Sequence, residues 1–324
     1  MIGVLAAAGS VGLLRLLGGP FRRLPHRAQV GLSMIAWAAE YVVLRTALNL
    51  ITGGVPTGTL AELDPSHRLL AQGSTALAAL GSLAVLDWGW GVPSLAAVGL
   101  TWAGARRQYV VPDVLVGLGL GVLAPGALLL GGVLSGWDHP DGLHPSHPSP
   151  DGLLLDGGVY LAIAVFEELL ARGWLLALPA RAIGLPAALL ISTLVFGLGH
   201  MGNPDFGLAA LLGTTLAGLV FAWGLLRTGL LWLPLALHFS FDWAYSSLYG
   251  LPNTGVPVTP LLHVAIDPAA PAWATGGAYG PLGSAMIVPV LLLVAAAIGR
   301  HTQGRSGTRL LFPVGVPERP GTAL

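Results

Sequence analysis

The chain has 324 residues, 54% hydrophobic and only 9% charged; a soluble domain has about 25% charged residues, so composition places this one in a membrane. The net charge of zero argues against nucleic acid as a partner, and the absence of cysteine excludes disulfides, thiolate catalysis and thiolate metal sites. Every basic residue is Arg, a bias that suggests a GC-rich bacterial genome and a multi-pass protein of the bacterial inner membrane.

A bilayer core about 30 Å thick takes about 20 apolar residues as helix. Such stretches run over 3–19, 29–51, 69–87, 90–104, 114–136, 155–178, 185–203, 207–226, 229–249 and 281–299. The first lacks a basic leader and a cleavage site and reads as a retained helix, not a signal peptide. The short 90–104 stretch follows DWGWGVP, where Gly and Pro break a helix, and reads as half of one bent span with 69–87. The expected fold is therefore all-α, a polytopic transmembrane helix bundle of about eight spans.

Arg106, Arg107, Arg181, Arg227, Arg300, Arg305 and Arg309 fall on one side if 114–299 crosses six times, and that side is expected to be cytoplasmic. Arg22, Arg23 and Arg27 join them only if 69–104 crosses once. In GLGLG, Gly117 and Gly121 have helix-packing spacing. The loops 137–152 and 250–280 then face outward. The first carries His139, His144 and His147, a metal-capable set in what reads first as a turn-rich surface loop. The expected organisation is N-terminal transmembrane helices over 1–153, a core over 154–250, an outer loop and last helix over 251–300, and a polar tail over 301–324.

The segment VFEELLARGW places Glu167, Glu168 and Arg172 inside an apolar run. Unpaired at mid-membrane, three charges would cost about 9 kcal/mol on insertion scales. Glu168 and Arg172 are four apart, so they share a helix face with the acid on the N-terminal side, the favourable order for an ion pair. Glu167 is rotated about 100° away and needs another partner. Candidates lie in the next apolar spans, where His200 follows Phe196 by one turn and Asp242 follows His238 by one turn. Ionisable side chains from three helices are expected to face the bundle interior and meet in one site.

EELLAR (167–172), FGLGH (196–200) and HFSFD (238–242) match EExxxR, FxxxH and HxxxN/D in order. On these motifs the chain resembles the CPBP family, the CAAX-protease and bacteriocin-processing (Abi) intramembrane proteases. The resemblance covers about residues 155–250, under a third of the chain. It implies that 154–250 is the catalytic core and that the activity is intramembrane endopeptidase, acting on a peptide or membrane-protein segment in the lipid bilayer.

Two chemistries fit the residue set. In one, Glu167 is the general base on a water that His200 helps to hold, His238 and Asp242 line the oxyanion side, and Glu168 with Arg172 and Phe196 support the site. No cofactor is then required. In the other, His200, His238 and a Glu bind Zn2+. A non-catalytic membrane scaffold or immunity protein using the same pocket is an alternative, and a proton-coupled transporter a further one.

Overall fold

The apolar stretches become helices of a bundle in the computed structural model, which describes residues 18–21, 23–52, 63–90, 95–102, 104–143, 150–253, 260–305 and 307. The stretch 3–19 lies outside the described residues, save its last two, as do His144 and His147 and the tail from 308 onward. The helices are α1 (His26–Ile51), α2 (Pro65–Trp90), α3 (Arg107–Leu134), α4 (Pro150–Glu168), α5 (Ala180–Ile183), α6 (Leu185–Leu198), α7 (Leu208–Thr228), α8 (Trp232–Trp243), α9 (Ala272–Thr275) and α10 (Ile287–His301). The chain is a helical membrane bundle. Four described helices are long and apolar enough to cross a membrane: Arg27–Ile51, Ser66–Trp88, Arg107–Leu134 and Leu208–Thr228. Leu185–Leu198 and Ile287–His301 are shorter apolar helices.

The sequence reading departs from the structure in three places. The stretch 90–104 is not half of a span. Its described part holds only short 3-10 turns at Leu95–Val98 and Gly104–Arg106, because the backbone turns at Gly99 and Gly104, both at positive φ (85° and 71°). The helix of 155–178 changes type after Glu168 and runs on as a π-helix over Leu169–Ala177, and α8 does the same over Ala244–Leu248. The bundle also carries a small antiparallel sheet, β1 (Asp138–Leu143) with β2 (Leu262–Ile266). Its strands come from segments rich in Pro, Gly and His that alternate too poorly to read as strands, and β1 is irregular between Pro140 and Gly142.

The arginines knit one end of the bundle together. Arg106 Nη1 donates to the Gly229 carbonyl at 3.0 Å, and Arg181 Nη2 to the Ala97 carbonyl at 3.2 Å. Arg227 Nε donates to Thr302 Oγ1 at 2.9 Å, and Arg305 pairs with Asp113 at 2.6 Å. Phe21, just before α1, stacks on Trp90 at the end of α2 at 4.2 Å. Arg23 and Arg27, at the start of α1, follow Phe21 to the same end. The β1–β2 sheet closes the other end. There the exposed Asp141 is held below the usual carboxylate range by its hydrogen bond with His263, and burial raises Asp138 above it.

The most extensive helix contact is between α3 and α8, and it depends on glycine. A Cβ on Gly117 would lie 2.6 Å from the Leu233 carbonyl oxygen, and one on Gly121 would lie 2.6 Å from that of Leu237. Backbone cannot yield as a side chain can. Gly121→Ala is therefore expected to push α8 away and cost about 1–3 kcal/mol, read as a lower unfolding midpoint in detergent. Gly119→Ala is the matched control, since a Cβ there meets nothing within 4 Å. Equal midpoints for the two variants would remove the close-packing argument.

Candidate active site

Two apolar clusters flank the polar residues. One gathers Trp37, Leu83, Leu86, Trp90 and Trp174; the other gathers Leu128, Phe196, Phe221, Leu237 and Tyr245. Between them Glu168 and Arg172 are both wholly buried. Their partners offset the cost that the apolar run raises. Arg172 Nη1 lies 2.9 Å from Glu168 Oε1, and Arg172 Nη2 donates to the Gly218 carbonyl at 2.8 Å. The guanidinium carbon also sits 4.3 Å from the Phe196 ring centre and 5.1 Å from that of Phe221. The Phe of FGLGH thus faces the Arg of EELLAR.

The spacing of the motifs does not reveal the second role of Glu168. Its Oε1 also accepts from His238 Nδ1 at 2.9 Å, a bond across 70 positions of sequence. A carboxylate oxygen accepts only, so Nδ1 carries a proton and the ring is fixed in orientation; with carboxylates beside both nitrogens, the ring is suited to carry a proton on each. Phe221 stacks flat on the imidazole at 4.6 Å and Phe196 meets it edge-on at 5.9 Å. No motif marks Phe221, one of eight Phe in the chain. The other ring nitrogen, His238 Nε2, lies 3.4 Å from Asp242 Oδ2 and 3.8 Å from Glu167 Oε2. Asp242 is one turn further along α8, as the spacing requires.

Glu167 is placed differently from its neighbour. Its side chain is 25% exposed, and Oε2 has no hydrogen-bond partner among the described residues. It faces a cavity of about 520 Å³ that His200, His238 and Asp242 also line. His200 Nδ1 donates to the Phe196 carbonyl at 2.9 Å, which leaves Nε2 as the acceptor of the neutral ring. The four residues Glu167, His200, His238 and Asp242 therefore converge on one cavity. It reaches along α4 to Asp156, about 16 Å from Glu167 at 1.5 Å per residue, and its wall is mostly apolar, with Ile163, Phe166, Leu170 and Val195.

The Zn2+ alternative asks for His200, His238 and a Glu around one point. Among the described residues no three His, Asp or Glu side chains are placed to hold a metal ion. His238 gives Nδ1 to Glu168 and His200 gives Nδ1 to backbone, which leaves Nε2 of each ring facing the cavity side, an arrangement that metal-ligating His also adopts. His139, the described member of the expected outer metal set, lies in β1 opposite Ala265.

Comparison with known proteins bears on the same stretch of chain. No curated protein matches, and no solved structure does. Residues 151–244 match the family model described as Type II CAAX prenyl endopeptidase Rce1-like. The match starts at the head of α4 and ends just past α8, so it takes in all three motifs and every residue of the constellation. The matched model describes the same CAAX-protease family that EELLAR, FGLGH and HFSFD resemble.

Proposed function

We propose that the chain is a glutamate-type intramembrane endopeptidase that hydrolyses a peptide bond in a peptide or membrane-protein segment. One observation carries the reading. His238 is locked through Nδ1 by a buried carboxylate and presents Nε2 beside Glu167 and Asp242 in the wall of an apolar cavity. Glu167 takes a proton from water as the water oxygen attacks the peptide carbonyl carbon. His200, an acceptor at Nε2, holds the other water hydrogen. His238, held as an imidazolium between the Glu168 and Asp242 carboxylates, donates from Nε2 to the oxyanion that forms, and Asp242 keeps the ring in place. Glu167 then returns the proton to the leaving nitrogen as the C–N bond breaks, so the products are an amine and a carboxylic acid that keeps the second water hydrogen until it ionises in water. Glu168 and Arg172 touch neither substrate nor water and serve as positioning residues.

This reading needs no metal. The test uses the purified full-length protein in liposomes with a defined set of apolar octapeptides, products being read by mass spectrometry. New termini are expected, with the same yield after treatment with a strong chelator. Activity lost on chelation and restored by Zn2+ would move the assignment to a metallopeptidase.

A further inference from the structure

Asn253 lines the same cavity as Glu167 and His238, yet it belongs to none of the three motifs and lies beyond the matched residues 151–244. It is only 5% exposed. Its Oδ1 is closed off from solvent and has no hydrogen-bond partner among the described residues. A buried acceptor without a donor is unfavourable, and in a native fold it calls for an explanation.

The backbone that carries Asn253 is held firmly. Leu251 N–H donates to the Tyr245 carbonyl at 3.0 Å, and the Tyr245 hydroxyl accepts from Leu282 N–H at 3.3 Å. Gly250 turns the chain at φ +67°, where an added Cβ would lie 2.5 Å from the Leu262 carbonyl oxygen. A Cβ on Gly280 would overlap the carbonyl of Pro252, the residue before Asn253. Two glycine contacts and two hydrogen bonds thus hold Asn253, a lining residue with an unpaired amide oxygen just beneath the surface, in the wall of the cavity.

A bound peptide brings the missing donor. Each non-proline peptide bond carries one N–H, and in an apolar cavity that N–H needs an acceptor as much as Asn253 needs a donor. We propose that Asn253 is a substrate-binding residue: its Oδ1 accepts one backbone N–H of the peptide in the cavity and so sets which bond lies against Glu167. The proposal rests on the endopeptidase reading. A contact made alike in the ground state and the transition state changes KM and leaves kcat unchanged, whereas a structural role changes folded yield and kcat together.

The experiment compares full-length wild type with Asn253→Ala in liposomes, on the octapeptides above and on their singly N-methylated backbone derivatives. KM is expected to rise roughly tenfold in Asn253→Ala with kcat within about twofold. N-methylation at one position should raise wild-type KM by a similar factor and add nothing in the variant. Equal KM for the two proteins overturns the proposal while leaving the endopeptidase reading intact. If Asn253→Ala does not fold, the scan of wild type alone decides, and the absence of any single sensitive position overturns it. If wild type cleaves none of the peptides, the endopeptidase reading fails. Binding of the same labelled peptides, read by fluorescence anisotropy, then decides the proposal: about tenfold weaker binding by the variant upholds it, and equal or absent binding overturns it.

Discussion

Glu167→Gln is expected to leave a folded protein whose kcat has fallen by about 10²–10⁴-fold. Gln has the shape of Glu and keeps an acceptor oxygen, but its amide does not take a proton at neutral pH. The fold should tolerate the change because Glu167 is partly exposed to the cavity and is not the carboxylate that Arg172 neutralises. Cleavage and the unfolding midpoint are to be measured on the same preparation. Wild-type turnover by Glu167→Gln would take the base role from Glu167. A large drop in midpoint would show that this carboxylate is structural.

The second large effect is on stability. Arg172→Ala removes the ion pair with Glu168, the bond to the Gly218 carbonyl and the stack on Phe196, and it leaves the buried Glu168 without its guanidinium, held by the His238 bond. Breaking a buried pair in this way costs about 3–5 kcal/mol, comparable with the whole stability of many domains. Folded yield in detergent should fall sharply and activity with it. Glu168→Gln with Arg172→Met removes both charges and is expected to recover much of the yield without the activity, since His238 then loses its charged partner. Normal yield and midpoint for Arg172→Ala would show that the pair does not hold the fold.

The sequence by itself determined what depends on composition and on spacing within one helix. A charged fraction of 9% admits only a membrane bundle, and apolar runs of the right length mark its helices. The pairing of Glu168 with Arg172, and of His238 with Asp242 one turn on, follows from the helical repeat, because residues four apart are neighbours whatever the rest of the chain does. The cost of ionised groups in lipid adds that such faces turn inward.

The tertiary structure decided what depends on contacts between distant segments. No periodicity links Glu168 to His238, and only the packing of α4 against α8 brings them to 2.9 Å. The same packing separates the two adjacent glutamates, one sealed under a guanidinium and the other facing the cavity. The π-helical turn after Glu168, the pairing of β1 with β2 and the placing of Asn253 by Gly250 and Gly280 also follow from close approaches between segments. A local pattern carries no record of them, because the atoms that impose them belong to other parts of the chain.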